Sequence, residues 1–189
     1  MATTEPIREK EQIRSLMTFF LSRGQFRNYA LVSLGINTTL RIGDLLKLKW
    51  EDVYDEKKQR FRSHLSVNEQ KTGKKKTIAI NPQAVNAMRL YLPHRRGPYI
   101  FVSRKGDMPI SRVQAWRIIC SAAEALHLPE NISCHSLRKT WGYHAWSSGR
   151  VSPVVIMDIY NHSDFRVTQR YLGVTQDDLD KAYMEMDLL

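Results

Sequence analysis

The chain has 189 residues, 42% of them apolar, and its 29 Lys and Arg outnumber 19 Asp and Glu to give a formal net charge of +10. That length and apolar content suit one domain, 1–189, with its own core, and the positive excess favours a polyanion, because each basic group that neutralises a phosphate releases condensed counterions. No apolar run approaches the roughly 20 residues of a membrane-spanning helix, and the start Met-Ala-Thr-Thr-Glu-Pro lacks a signal-peptide core, so a cytoplasmic protein with no membrane contact is expected.

Ile13, Leu16, Met17, Phe20 and Leu21 recur at helical spacing and predict an amphipathic helix over 7–21 that ends near Gly24. A second, largely apolar helix is expected over 26–36. Asn37, Thr38 and Thr39 supply capping chemistry before the next helix, which places Arg41 at its first turn and Ile42, Leu45, Leu46 and Leu48 toward the core. Residues 50–53 look like the entry to a sheet, and 55–59 form a polar turn. Strands are expected over 62–67, where polar and apolar residues alternate, and over 76–80. Between them Lys71-Thr72-Gly73-Lys74 fits a hairpin turn with Gly73 at positive φ, which carries Lys71 to its tip.

Pro82 after Asn81 opens a helix to about 92. Residues 93–98 are a loop, 99–102 a short extended piece and 103–109 a second loop. Ser111 caps a helix through 126, with Val113, Trp116, Ile119, Cys120 and Ala123 expected on its inner side. Ser133 or Cys134 opens the helix bearing His135 and Arg138, which share a face at three-residue spacing. Another short helix runs from Ser152-Pro153 to Tyr160. A tyrosine segment follows, and then a capping box from Thr175 to Asp178 leads into a terminal helix reaching 188. The fold class is mainly α with one small antiparallel β-sheet, an α+β domain.

Cys120 and Cys134 are too few for a disulfide framework and form no CxxC pair, so both are expected to be reduced and structural. There is no P-loop, no GxGxxG after a strand and no HExxH, which leaves nucleotide hydrolysis and zinc proteolysis without local support. What remains is an ordered set of polar residues: Arg41, Lys71, His135, Arg138, His162 and Tyr171. Two arginines, a lysine, two histidines and a tyrosine suit phosphoryl transfer on DNA with no metal and no cofactor.

In that order and at that spacing, four stretches resemble the catalytic domain of the tyrosine recombinase, or phage integrase, family. Thr39-Leu40-Arg41-Ile42-Gly43-Asp44 is similar to its first arginine box and Gln70-Lys71-Thr72-Gly73 to its hairpin lysine. His135-Ser136-Leu137-Arg138 resembles its HxxR, and the stretch from Asn161-His162 to Tyr171 its histidine and nucleophile box. Each box alone is weak; the ordered set, covering nearly the whole chain, is specific. Two positions depart from the pattern. Asn161 stands where the family has Gly, so an Asn must accept the turn, and Gly173 stands where a His is frequent. Family members commonly carry an N-terminal core-binding domain as well; this sequence starts at the catalytic domain, so either a fragment or a naturally short member is expected.

The resemblance implies a division of labour. Arg41 and Arg138 would grip the scissile phosphate with planar, always-charged forks. Tyr171 would attack phosphorus, and, since a tyrosine hydroxyl has a pKa of about 10, His135 is the candidate base. Lys71 would protonate the leaving 5′-oxygen, His162 would donate a hydrogen bond to the phosphate, and Asp44 would orient the site from behind. Lys74, Lys75, Lys76 and Arg170 are candidate contacts to DNA phosphates. The expected partner is double-stranded DNA, held by a homotetramer at synapsis and met by a monomer or weak dimer when free. The terminal helix, 175–188, either packs on its own domain or docks on a neighbouring protomer.

The function expected is site-specific recombination through a 3′-phosphotyrosyl intermediate and a Holliday junction. A type IB topoisomerase-like enzyme shares the chemistry, and a non-catalytic DNA-binding module would share the charge. A metal-dependent nuclease is disfavoured by the lack of clustered carboxylates.

Overall fold

Helix α2, Phe26–Asn37, lies at the centre of the larger core, because its apolar residues surround the axis rather than lining one stripe: Ala30, Leu31, Val32 and Leu34 are all buried. The computed structural model describes residues 4–71, 73–128 and 131–186, without the side chains of Arg170 and Ala182. Helix α1, Lys10–Leu21, packs on α2 through Leu16 and Phe20 and is followed by Gly24 at φ +62°. The Thr38 hydroxyl then turns back to donate to the Leu34 carbonyl at 2.6 Å, closing α2.

Thr38 therefore serves the end of α2 and not the start of the next helix, as the capping residues had suggested. The following helical turn, α3, Ile42–Leu45, has Arg41 itself at its N-cap with no side-chain cap, since the residues with capping chemistry stand too early in the chain. Leu45, Leu46 and Leu48 are buried as expected. Residues 50–53 are a second short turn, α4, Trp50–Val53, rather than a sheet entry. The Lys49 N–H donates to Asp52 Oδ2 at 2.8 Å, an acidic cap that stabilises a helical turn where apolar flanks suggest a strand.

Strands β1, Tyr54–Asp55, and β2, Arg60–Phe61, form an antiparallel ribbon around the polar turn, in which Asp55 Oδ1 accepts from the backbone of Lys57 and Lys58. Strands β3, His64–Asn68, and β4, Lys75–Ala79, form a second ribbon, with Leu65 opposite Ile78 and Val67 opposite Lys76. The single small sheet expected is thus two separate two-stranded ribbons. Gly73 takes φ +67° in the β3–β4 turn, as that turn requires.

Helix α5, Pro82–Tyr91, is capped by Asn81, whose Oδ1 accepts from the Ala84 N–H at 2.9 Å, and it packs on α2. Helix α6, Arg112–Ala125, is capped by Ser111, but its buried side is Ala115, Ile119, Ala122 and Ala123. Val113 and Trp116, expected inside, are 57% and 52% exposed, because the small residues allow the helix to lie close and turn its bulkier side outward.

Helix α7, Cys134–Ser147, crosses α2 at Gly35, where a Cβ would lie 2.8 Å from Leu137 Cδ1. Helices α8, Pro153–Tyr160, and α9, Phe165–Leu172, complete a smaller core of Ile156, Tyr160 and Leu172. The Tyr160 hydroxyl reaches under α7 to donate to the Arg138 carbonyl at 2.6 Å, and at Gly142 a Cβ would sit 2.6 Å from that hydroxyl. Gly142→Ala must therefore displace Tyr160, an overpacking expected to cost about 1–3 kcal/mol and to lower the melting temperature by several degrees. An unchanged melting curve would contradict this close approach.

The last helix, α10, Gln176–Glu185, begins at Thr175, whose hydroxyl accepts from the Asp178 N–H at 3.3 Å while the Asp178 carboxylate accepts from the Thr175 N–H at 2.8 Å. Its Leu179, Tyr183 and Met186 are exposed rather than packed on the rest of the chain. The helix stops at Glu185, short of the expected 188, with Met186 extended, and residues 187–188 lie outside the described residues. Cys120 and Cys134 are free thiols, and burial pushes the Cys134 thiol up to about 12. No described helix is long and apolar enough to cross a membrane.

Candidate active site

Arg138 is the centre of the site. It is 1% exposed, one turn into α7, where the N-cap hydroxyl of Ser133 and the Gly35 crossing fix the helix. Its Nη1 donates to the Thr39 carbonyl and its Nη2 to the Tyr160 carbonyl at 3.1 Å, so two backbone oxygens from distant segments orient the fork. Its Nε is buried without a hydrogen-bond partner among the described residues. A buried donor left over on a cation suits an anionic ligand.

The Tyr171 ring lies over this fork, with the guanidinium carbon 5.8 Å from the ring centroid. Helix α9, capped by the Asp164 side chain on the Arg166 N–H, carries it there. The ring meets His135 edge-on at 5.0 Å and His162 edge-on at 4.6 Å between centroids. Four of the six catalytic candidates are therefore one contiguous cluster, and the tyrosine is docked on the site of its own chain.

His162 follows Asn161, which adopts the left-handed φ +56° that the departure from Gly demanded. The imidazole stacks on Tyr160, and its Nδ1 lies 3.1 Å from the Thr168 hydroxyl, which is fully buried. That bond leaves Nε2 for the site. Burial, then the cations Arg138 and Arg41, lower the His162 pKa to about 4, with Glu69 opposing. Burial, then Lys139, Arg138 and Arg41, hold His135 at about 4 as well. Both values lie below the ordinary histidine range, so both rings are neutral at pH 7, where each can accept a proton.

Arg41 reaches the cluster from the N-cap of α3. Its Nη1 lies 2.9 Å from Glu69 Oε1, and Glu69 is 1% exposed at the root of the β3–β4 turn. Glu69 Oε2 accepts from the Asn161 side chain at 3.2 Å, so one carboxylate ties the arginine box, the hairpin and the histidine turn together. Glu69 was not singled out in the sequence. Its one signal there is a lone acid beside a strongly basic turn.

Asp44 is buried and accepts from the Gln70 N–H at 3.1 Å, while Gln70 Nε2 donates to the Gly43 carbonyl at 2.9 Å. Asp44 thus meets the hairpin root through the Gln70 backbone. Lys71 itself is exposed in the turn, outside the cluster of rings and guanidinium groups. The lysines that follow separate by strand alternation. Lys75 points outward, Lys74 reaches Asn161 Oδ1 at 3.3 Å, and Lys76 turns inward to donate to Thr39 Oγ1 at 2.9 Å. The Arg170 side chain lies outside the description.

Two other tyrosines of the C-terminal part are unlike Tyr171 in what their hydroxyls meet. Tyr160 is fully buried, its hydroxyl committed to a backbone carbonyl and its pKa raised by burial, and Tyr183 is 83% exposed on α10. A recess of about 270 Å³ opens beside the cluster, lined by Leu40, Arg41, Arg112, Trp116, His135 and Arg138. Trp116 was missed as a site neighbour because an apolar helix residue reads as core, and Arg112 was not singled out. No group of three His, Cys, Asp or Glu side chains with metal-ligand geometry occurs among the described residues.

The family model described as "Phage integrase family" matches residues 8–177. "Probable integrase/recombinase YoeC" of Bacillus subtilis (strain 168) is 37% identical over 185 residues, 97% of both chains. "Tyrosine recombinase XerA" of Pyrococcus furiosus is 28% identical over 184 residues, which are 95% of this chain and 61% of that one. Among solved structures, the Tn1549 transposon integrase in complex with a circular intermediate DNA superposes with a TM-score of 0.74 at 19% identity, over 98% of this chain and 66% of that one. The chain thus spans YoeC almost fully and about two thirds or less of the other two.

Proposed function

The chain belongs to the phage integrase family and is a site-specific recombinase of the tyrosine class, and from that premise we propose how its own residues break and rejoin DNA. The Tyr171 oxygen attacks a backbone phosphorus; the Tyr171 O–P bond forms, the P–O5′ bond breaks, and the strand is left as a 3′-phosphotyrosyl ester with a free 5′-hydroxyl. The hydroxyl proton passes to His135 and the 5′-oxygen takes its proton from Lys71. Rejoining runs the same step backwards with a 5′-hydroxyl of another strand, so the bond energy is retained and no nucleotide is consumed. The observation that carries the proposal is the Tyr171 ring lying within 4.6 and 5.0 Å of the His162 and His135 rings and directly over the Arg138 fork.

Arg41 and Arg138 hold the non-bridging oxygens, where fixed charge in a desolvated site stabilises the crowded phosphorane best. His162 adds a hydrogen bond from Nε2, with Thr168 behind it. Lys71 is exposed in the free protein, and the proposal requires the hairpin to carry it to the leaving oxygen once DNA fills the groove. His135 is neutral at pH 7 and so has a ring nitrogen free to accept the proton, at the reduced basicity that burial and the neighbouring cations impose.

Cleavage of a nicked duplex is expected to continue in excess EDTA. Lys71→Ala should slow it by about 10²- to 10⁴-fold, the range for losing a general acid. A substrate with sulfur at the 5′-bridging position, whose thiolate leaves unprotonated, should restore most of that rate. Loss of cleavage on chelation would refute the metal-free chemistry, and no sulfur rescue would assign the proton to another group.

Double-stranded DNA is the proposed partner, in keeping with the basic charge and with the DNA held by the Tn1549 integrase. Synapsis by four protomers through a Holliday junction is proposed with α10 as the linking element, supported by the exposure of Leu179 and Tyr183 on that helix and of Met186 just after it. Leu179→Glu with Tyr183→Glu should then leave single-site cleavage intact while abolishing synaptic complexes in a native gel. Synapsis at the unaltered level would remove α10 from that role. Residues 4–186 act in this proposal as one catalytic unit.

A further inference from the structure

Lys76 is set apart from its neighbours by where its head goes. On β4 it shares the inner face with Ile78, opposite Val67, and its ammonium enters the cationic pocket to donate to Thr39 Oγ1 at 2.9 Å. An ammonium beside Arg138 and Arg41 is repelled, with Glu69 and Asp44 as the compensating carboxylates. Burial, then those guanidinium groups, bring its pKa down to about 8. A lysine held at that electrostatic disadvantage needs a reason in what it touches.

What it touches is a strained residue. Thr39 is buried at φ +54°, in the left-handed region that a β-branched side chain occupies only where its surroundings hold it. On the side toward α2 the Thr38 hydroxyl is spent on the Leu34 carbonyl, and the Leu40 N–H approaches that same hydroxyl at 3.4 Å. The Thr39 hydroxyl is gripped by Lys76, and the Thr39 carbonyl is one of the two oxygens that orient the Arg138 fork.

We propose that Lys76 is a positioning residue of the cleavage site: its ammonium clamps the Thr39 hydroxyl, keeps residue 39 in its left-handed turn, and thereby fixes the carbonyl that aims Arg138. It differs from Lys74 and Lys75 in acting through the protein and not on DNA. The activity arm of the test rests on the cleavage chemistry proposed above, and the spectroscopic arm does not.

The test compares the full chain with Lys76→Met, Lys76→Arg, Thr39→Val and the Lys76→Met/Thr39→Val double variant. Single-turnover cleavage of a nicked duplex is followed at saturating protein with a 5′-oxygen and with a 5′-bridging sulfur leaving group. In the free protein, the Nη resonances of ¹⁵N-labelled Arg138 are recorded, since a guanidinium held at both Nη atoms rotates slowly. Lys76→Met and Thr39→Val are each expected to slow cleavage about 10- to 100-fold, the range for one charge-assisted hydrogen bond, equally for both leaving groups. The double variant should be no slower than either single one, and Lys76→Arg should recover most of the rate. The Arg138 resonances, resolved in the parent protein, should merge in both single variants.

Three results would overturn the inference: an unaltered rate in Lys76→Met, a defect confined to DNA affinity, or rescue by the sulfur leaving group, which would make Lys76 a proton donor. Merged Arg138 resonances alongside a parent protein that cleaves no DNA would sink the cleavage chemistry and leave the placement of Lys76 standing.

Discussion

Arg138→Lys is expected to reduce strand cleavage by about 10²- to 10³-fold, the loss that follows removal of one preorganised donor from a site where charge develops. The reason is geometric. The guanidinium spends one N–H of each terminal nitrogen on the Thr39 and Tyr160 carbonyls, which leaves its other N–H groups for the phosphate of the proposed reaction. An ammonium at this depth cannot span two carbonyls and an anion at once. The same change leaves a buried carbonyl unpaired at about 1–3 kcal/mol, so the melting temperature should fall together with the rate. Near-normal cleavage by this variant would remove Arg138 from the site.

Tyr171→Phe is expected to abolish covalent attachment to DNA while leaving the fold and DNA affinity in place. The contacts that seat this residue belong to its ring: edge-on to His135 and His162, tilted on Tyr160, and over Arg138. Phenylalanine keeps all of them and removes only the attacking oxygen. A matching melting curve with no covalent complex would locate the nucleophile; a residual adduct in the variant would mean that another side chain attacks. Tyr160 is excluded from that part by its burial and its bond to the Arg138 carbonyl.

The helices and the order of the site residues were legible in the sequence because both are local. Periodicity places α1, α2, α5 and α7, and Arg41, His135, Arg138, His162 and Tyr171 each sit in a short stretch of recognisable chemistry. Errors occur where a single side-chain bond or a packing contact overrides the local pattern. Asp52 folds residues 50–53 into a turn through one hydrogen bond, and the small side of α6 turns Trp116 out to the recess beside Arg41. Glu69 is not singled out by the sequence, because its buried contacts are to Arg41 and Asn161, 28 and 92 residues away in the chain. Lys76 was grouped with Lys74 and Lys75, although its alternation with Ile78 and Ile80 already placed it on the inner face.

The account stands most directly on one reaction: the parent protein, a suicide duplex nicked just downstream of the cleaved phosphate, and EDTA throughout. Denaturing electrophoresis followed by peptide mapping should give a protein–DNA adduct whose modified residue is Tyr171, with a free 5′-hydroxyl on the released fragment. An adduct on another residue, or a released 5′-phosphate, would contradict it.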